Sequence, residues 1–182
     1  TDPKLKRLNG KFDRVLVDAP CTGLGTLRRN PDLKWRQTPQ DLAELNVKQA
    51  NILTRAAKLT KAGGRLIYST CSLLREENEQ IAENFLAANP EFKLLNAAEI
   101  LRQQQINLDT GDYLKLLPHL HNTDGFFAAV FEKTDGSKPA KVATTVVAVD
   151  EAIPETAVTE QKAKKVAAKS KVTKSKAVKE TV

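Results

Sequence analysis

The chain has 182 residues, a net charge of +7, two cysteines and two histidines. This length suffices for one domain and falls short of two domains of ordinary size. Two cysteines give no disulfide framework, and no apolar run approaches the length of about eighteen residues that crosses a bilayer. We therefore expect a protein of the reducing cytoplasm rather than a secreted or membrane protein.

The positive charge is concentrated in the C-terminal part. Residues 161–182 carry eight lysines and one glutamate, which account for the whole net charge. Residues 134–182 are rich in Thr, Ala, Val, Pro and Lys and lack aromatic residues, a composition typical of disorder. The sequence predicts a folded domain over 1–133 and a disordered tail over 134–182, whose lysines favour a weak, salt-sensitive attraction to RNA or simply solubility.

The first predicted element is a strand over 12–17. Its apolar and β-branched run is typical of a strand buried on both faces of a parallel sheet. Asp18, Pro20 and Cys21 follow it, ahead of a glycine-containing loop. Because open parallel sheets bind ligands at the carboxyl ends of their strands, we expect Asp18 and Cys21 to belong to a site.

The loop over 22–36 is long for a compact domain, which favours a functional role. Four basic side chains lie in it, close after Cys21: Arg28, Arg29, Lys34 and Arg36. A basic rim beside a thiol suits the phosphate backbone of a nucleic acid. The alternative is that these charges are simply scattered over a solvated loop and have no role in binding.

A helix and a second strand come next. Thr38 is the expected N-cap of the helix, Pro39 lies in its first turn, and Gly63 is expected to close it. The strand over 64–69 ends shortly before Cys71. Strand, helix and strand form one right-handed crossover unit, so both cysteines fall just past the ends of neighbouring parallel strands.

An acidic helix follows the second cysteine. Ser72 is its expected cap, and the helix runs to Ala88. Glu76, Glu77 and Glu79 lie in its first turns, where carboxylates interact favourably with the helix dipole.

The remaining elements predict an α/β fold that ends in a hairpin. A short strand is expected over 92–95, and 97–105 is either a helix or a loop. The strands over 113–117 and 125–132 are expected to pair as an antiparallel hairpin, a common addition at the edge of a mostly parallel sheet.

Two thiols at one site suit a disulfide, a shared metal ion or nucleophilic catalysis. A reducing setting disfavours the disulfide. A zinc site needs two or more further ligands, for which His119 and His121 are the only histidines, so we expect no metal. A thiolate is needed where an electron-poor carbon such as C6 of a pyrimidine is attacked and later released. C5 then gains carbanion character and accepts a methyl group.

Two long motifs resemble the RNA (cytosine-5)-methyltransferases, and in particular the RsmB (Sun, Fmu) type that methylates 16S ribosomal RNA. The first is Asp-Ala-Pro-Cys-Thr-Gly at 18–23 with its continuation at 28–35. The second is Tyr-Ser-Thr-Cys-Ser-Leu at 68–73 with the acidic run at 76–79. Asp-Gly-Phe-Phe at 124–127 resembles the late motif before the family's last strand. The resemblance extends over residues 12–133.

The resemblance implies an S-adenosylmethionine-dependent enzyme that acts on RNA, with ribosomal RNA as the expected substrate. Cys71 would be the nucleophile that attacks C6 of the target cytosine. Cys21 would assist elimination and release of the methylated product. Asp18 would lie against S-adenosylmethionine and the cytosine edge. For each cysteine the alternative is a small buried hydrophobic residue at a strand end.

The family's glycine-rich S-adenosylmethionine loop lies upstream of the position of Asp18. This sequence has no such strand and loop before Val15. It therefore resembles the C-terminal half of a Rossmann-like methyltransferase sheet. We expect the strand near Val15 to form an exposed hydrophobic edge and the chain by itself to have little or no activity.

Other interpretations stay open at this point. A DNA cytosine-5 methyltransferase also places its nucleophile after a proline that follows the equivalent strand, which would make Cys21 the attacking thiol. The motif around Cys71 favours RNA. An amino-methylating enzyme would need an aromatic residue where Cys21 stands. A non-catalytic RNA-binding remnant would act through its basic tail and need neither cysteine.

Overall fold

A mixed five-stranded sheet forms the centre of residues 6–108 and 110–135, which the computed structural model describes. In chain order the strands are β1 (Phe12–Asp18), β2 (Thr60–Thr70), β3 (Phe92–Leu95), β4 (Leu114–Leu116) and β5 (Phe126–Lys133). β1 and β2 are parallel, whereas β5 is antiparallel to β2, β3 and β4. The structure thus confirms the mixed α/β fold and the hairpin at its end.

Five helices and two short 3₁₀ turns connect the strands in the described residues. The helices are α1 (Leu33–Arg36), α2 (Pro39–Leu59), α3 (Glu79–Ala88), α4 (Ala97–Gln103) and α5 (Pro118–His121), and the turns are Leu24–Thr26 and Arg75–Glu77. α2 joins β1 to β2 as the predicted crossover. The sequence did not distinguish a helix from a loop over 97–105, and the structure has a helix at Ala97–Gln103. Among these helices, none combines the length and the apolar character that crossing a membrane requires.

α2 begins as predicted and ends earlier. The Thr38 side chain accepts a hydrogen bond from the backbone of Asp41, and the Asp41 carboxylate accepts one from the backbone of Thr38, which is a capping box. The expectation that Gly63 closes the helix is wrong. The helix ends at Leu59 because the extended backbone of Thr60 already pairs with β1.

The start of α3 also differs from the prediction. Ser72 does not cap the helix; its hydroxyl instead accepts a hydrogen bond from the backbone N–H of Leu74. The 3₁₀ turn at Arg75–Glu77 precedes the helix, and Asn78 occupies the N-cap position. This turn directs Glu77, one of the three carboxylates expected in the first turns of the helix, into the interior.

One face of the sheet holds the core against α2 and α3. Aromatic rings from strand and helix meet there: Phe85 lies 4.9 Å from Phe131 and 5.2 Å from Phe92, measured between ring centroids. Leu53 of α2 and Leu66 of β2 are fully buried in the same cluster. Each such side chain contributes about 1.5–3 kcal/mol through burial.

β1 is buried on one face only, so the prediction of burial on both faces is wrong. Val17 faces the core and is 5% exposed, whereas the neighbouring Leu16 is 68% exposed. Successive side chains of a strand point to opposite faces, and the described helices cover a single face here. Among the described strands β1 pairs with β2 alone, so the expected exposed hydrophobic edge is present. The predicted disordered tail, apart from residues 134 and 135, lies outside the described residues.

Candidate active site

The two cysteines meet at the carboxyl ends of β1 and β2. Cys71 directly follows β2, and Cys21 lies three residues past β1. Because these strands are parallel neighbours, their ends lie side by side, and the two Sγ atoms are 3.4 Å apart. Both thiols are free and half-buried. The structure therefore brings together the two sulfur atoms that the sequence analysis singled out.

The surroundings of Cys21 oppose its ionisation. Burial, and secondarily the hydrogen bond with Cys71, raise the pKa of the Cys21 thiol from 9.0 to about 12. A thiol with so high a pKa stays protonated at neutral pH, and the thiolate is the nucleophilic form of cysteine. Cys21 is therefore suited to donate a hydrogen bond or a proton rather than to attack.

Two glycines fix the backbone that carries Cys71. The N–H of Gly25 donates to the carbonyl oxygen of Cys71 at 2.8 Å, and the N–H of Gly125 donates to the carbonyl oxygen of Gly25 at 2.8 Å. A Cβ atom on Gly25 would lie 2.3 Å from the Gly125 oxygen and 2.6 Å from the Cys71 oxygen. Only glycine at position 25 therefore lets the loop after β1, the loop after β2 and the residue before β5 come this close together.

A ring of buried polar groups holds the turn around Cys71. The Thr70 hydroxyl donates to Oδ1 of Asn78 at 2.6 Å, and Nδ2 of Asn78 donates to the carbonyl oxygen of Ser72 at 3.0 Å. The N–H of Ser72 donates to the Thr70 hydroxyl at 3.2 Å. These bonds fix Thr70 and Ser72, the residues on both sides of the cysteine.

Glu77 is the site residue that the sequence analysis missed. Its side chain is fully buried. Oε1 accepts hydrogen bonds from the N–H of Thr22 and from Nε2 of Gln49, both at 2.9 Å, and Oε2 accepts one from the Thr22 hydroxyl at 2.5 Å. The acidic run at 76–79 contains no period that marks one member as buried, so no local signal identifies Glu77.

Asp18 ends β1 on the face of the sheet opposite Val17. It pairs in register with Ser69 of β2. Its side chain is exposed and makes no hydrogen bond or ion pair to any described residue. The structure therefore leaves its carboxylate available at the same end of the sheet as the two thiols.

A polar cleft of about 320 Å³ opens beside Cys21. It is lined by Cys21, Arg36, Gln37, Asp41, Glu44, Leu45 and Lys48. Charged groups of both signs surround it, so it is suited to a polar ligand rather than an apolar one.

The predicted basic rim is partly neutralised. Nε of Arg28 and Nε of Arg29 lie 3.3 and 3.0 Å from the carboxylate oxygens of Asp124, and Arg36 is paired with Asp32. Such pairs reduce the net positive field that a phosphate backbone would meet.

One of the two histidines, His121, makes a structural hydrogen bond. Nδ1 of His121 accepts a hydrogen bond from the N–H of Leu117 at 2.9 Å, at the start of α5. Within residues 6–108 and 110–135, no group of three or more His, Cys, Asp or Glu side chains is placed to hold a metal ion.

Comparisons with known proteins match this region of the chain. A family model described as 16S rRNA methyltransferase RsmB/F matches residues 2–132. A probable ribosomal RNA small subunit methyltransferase B from Synechocystis is 45% identical over 133 residues, which are 73% of this chain and 30% of that protein. The probable methyltransferase B of Bacillus subtilis is 41% identical over 126 residues, 69% of this chain and 28% of that protein.

A solved structure shares the fold. The crystal structure of NSun6 from Pyrococcus horikoshii with SFG, an S-adenosylmethionine analogue, superposes with a TM-score of 0.53 and 27% identity. The match covers 72% of this chain and 33% of that chain. This chain thus spans less than one third of the length of the curated relatives from Synechocystis and Bacillus subtilis.

Proposed function

This chain belongs to the RsmB/F family of 16S rRNA methyltransferases, and we propose that it carries the two catalytic cysteines of an RNA (cytosine-5)-methyltransferase. The reaction would move a methyl group from S-adenosylmethionine to C5 of a cytosine in ribosomal RNA, in the cytoplasm. One observation carries the proposal: the Sγ atoms of Cys21 and Cys71 are 3.4 Å apart at the carboxyl ends of parallel strands. A nucleophile and a group that assists its release can then act on one pyrimidine ring.

Cys71 is the proposed nucleophile. Its thiolate forms a bond to C6 of the cytosine, and the electron pair of the C5–C6 double bond moves to C5. C5 would take up the methyl group as the bond of that group to the sulfur of S-adenosylmethionine breaks. Transfer of the C5 proton to water would then restore the double bond and expel the Cys71 thiolate. Sulfur is both a strong nucleophile and a good leaving group, so one residue suits both steps.

Cys21 is proposed to assist the release of Cys71. Because its raised pKa keeps it protonated, its S–H group can donate a hydrogen bond to the Cys71 sulfur. A charge-assisted hydrogen bond of this kind is stronger than a neutral one. It would stabilise the negative charge that develops on Cys71 as the bond to C6 breaks.

Asp18 is the described residue that suits S-adenosylmethionine, which would supply the methyl group. A carboxylate accepts hydrogen bonds from hydroxyl and ammonium groups, both of which that molecule carries. The exposed Asp18 side chain, without a hydrogen-bond partner among the described residues, has this capacity free. The proposal for Asp18 is therefore a place against the methionyl or ribose part of S-adenosylmethionine and the edge of the cytosine.

The alternative is a DNA cytosine-5 methyltransferase mechanism, in which Cys21 attacks. Burial of Cys21 disfavours the thiolate form that this attack would need. The interpretation as a non-catalytic RNA-binding remnant depends on lysines at 161–182, which lie outside the described residues.

Trapping of a covalent complex tests the proposal. The Cys21→Ala variant is mixed with ribosomal RNA and S-adenosylmethionine and run on a denaturing gel. The experiment uses this chain and, in parallel, this chain joined to the part of the Synechocystis relative that it does not cover. With the joined protein we expect a retarded RNA–protein band, because the adduct on Cys71 forms and is not released.

The double variant with Cys71→Ser identifies the attacking residue, and the band should vanish in it. Glu76→Ala, an exposed change beside the site, is the matched control and should not retain RNA covalently. A band that forms with the single variant Cys71→Ser and not with Cys21→Ala would instead support a DNA cytosine-5 methyltransferase mechanism with Cys21 as the attacking residue. Absence of a band with both forms of the protein would contradict the proposed mechanism.

A further inference from the structure

The proposed mechanism gives no role to the buried carboxylate of Glu77. A buried carboxylate is strongly disfavoured unless hydrogen bonds compensate its charge. Here every described polar contact of the side chain is a donor: the N–H and the hydroxyl of Thr22, and Nε2 of Gln49. No Lys or Arg pairs with Glu77 among the described residues, so neutral donors alone hold the carboxylate.

These donors connect the carboxylate to both sides of Cys21. Thr22 directly follows the cysteine. On the other side, Nε2 of Gln49 donates at 3.0 Å to the carbonyl oxygen of Pro20 and at 2.9 Å to Glu77. Glu77 therefore anchors the backbone that precedes Cys21 and the backbone that follows it.

The same network reaches the other cysteine. The hydroxyl oxygens of Thr22 and Ser72 are 3.2 Å apart and hydrogen-bonded, and Ser72 directly follows Cys71. The hydroxyl of Tyr68, which lies near the end of β2, donates to the backbone oxygen of Glu77 at 2.6 Å. Both cysteine loops are thus tied to one residue.

We propose that Glu77 is a positioning residue that clamps the Cys21 loop against the Cys71 loop and so sets the distance between the two thiols. This inference rests on the proposed function, because only a reaction that uses both thiols on one ring requires that distance. Glu77 does not touch the substrate. It acts through Thr22 and Gln49.

The hydrogen-bond pattern predicts which substitutions keep the clamp. In Glu77→Gln, the amide oxygen can still accept from the Thr22 N–H and from Gln49, and the amide N–H can donate to the Thr22 hydroxyl. In Glu77→Ala, all three acceptor contacts are lost. The glutamine variant should therefore keep the thiols together and the alanine variant should not.

Oxidation of the thiol pair by diamide measures their proximity in the full chain without RNA or S-adenosylmethionine. The two thiols lose two protons and two electrons and form a disulfide, while the azo group of diamide is reduced to a hydrazine. The remaining free thiol is counted by alkylation and mass spectrometry. Because misplacement by about 1 Å slows such reactions up to a hundredfold, we expect the rate to fall about tenfold or more in Glu77→Ala.

Three comparisons complete the test. Glu77→Gln should oxidise at nearly the rate of the unmodified chain, and so should Glu76→Ala, which removes the exposed neighbouring carboxylate. Phe92→Ala removes a buried core side chain on β3, at the end of the sheet opposite the thiols, and controls for lost stability. If Phe92→Ala slows oxidation as much as Glu77→Ala does, Glu77 has only a structural role and the proposal is overturned.

Should Glu77→Ala fail to fold, Thr22→Val replaces it, because valine removes the hydroxyl link between Glu77 and Ser72 and keeps the side-chain volume. Slower oxidation in that variant supports the clamp, and an unchanged rate in a folded Glu77→Ala or Thr22→Val variant overturns it. Since this measurement needs no methyl transfer, it stands apart from the outcome of the adduct experiment.

Discussion

At the scale of single residues, the environment of Cys21 defines its chemistry. Its pKa is raised from 9.0 to about 12, first by burial and then by the hydrogen bond with Cys71. Between these two pH values the folded chain keeps a proton that the unfolded chain has lost. The contribution of Cys21 to the free energy of unfolding is therefore complete below pH 9.0 and is lost as the pH rises to about 12.

We expect alkylation by iodoacetamide to show this difference directly. The rate at Cys21, followed by mass spectrometry of its peptide, should rise with a midpoint well above 9.0, because only the thiolate reacts. In Cys71→Ala the midpoint should move down, since the hydrogen bond to the second sulfur is gone. It should stay above 9.0, since burial is the larger cause. A midpoint of 9.0 in the unmodified chain would show that burial and the contact with Cys71 do not raise the pKa of Cys21.

At the scale of elements, the site depends on loops that approach one another through glycine. The loop after β1, the loop after β2 and the residue before β5 meet where Gly25 bonds to Cys71 and Gly125 bonds to Gly25. The atoms that a Cβ on Gly25 would strike are backbone atoms of Gly125 and Cys71. Since backbone cannot rotate away as a side chain does, the loops themselves would have to separate.

Gly25→Ala should therefore destabilise the protein and disturb the thiol pair together. Overpacking and the loss of a backbone hydrogen bond lead us to expect a decrease of about 2–4 kcal/mol in the free energy of unfolding. Slower oxidation by diamide should accompany it. Urea unfolding followed by circular dichroism measures the first effect.

Gly10→Ala is the control for this prediction. Gly10 has a φ of +66°, and a Cβ atom added there would meet no other atom within 4 Å. Alanine at this position should therefore cost about 1–2 kcal/mol of backbone strain without affecting the thiols. A Gly25→Ala variant no less stable than Gly10→Ala, with normal oxidation, would show that the loops tolerate separation.

At the scale of the whole molecule, β1 is an edge strand of the described sheet, and the described helices cover only one of its two faces. Leu16 is 68% exposed on a strand that pairs on one side only among the described strands. An exposed, apolar edge strand is a template for pairing with a second chain. The described domain should therefore self-associate through β1.

We expect Leu16→Lys to reduce that association, because a charge on an edge strand opposes pairing with another chain. Sedimentation velocity over a range of protein concentrations measures the effect. Leu120→Lys is the matched control: Leu120 is similarly exposed at 66% but lies on α5, and its replacement should leave the association unchanged. Equal behaviour of the two variants would locate the contact elsewhere.

Local patterns in the sequence determined a large part of this fold. The apolar runs of β1 and β2, the Thr38 cap of α2 and the final hairpin were all predictable, because periodicity, capping and turn chemistry act between residues close in the chain. Since parallel neighbouring strands end side by side, the position of each cysteine just past a strand also indicated a common site.

Only the tertiary structure decided the features that depend on distant partners. Glu77 is buried because Thr22 and Gln49, 55 and 28 residues away, supply its hydrogen bonds. α2 ends at Leu59 because Thr60 pairs with β1, and Leu16 is exposed because no described element covers its face of the sheet. The free energy of each of these arrangements comes from contacts between separate segments, which no local pattern encodes.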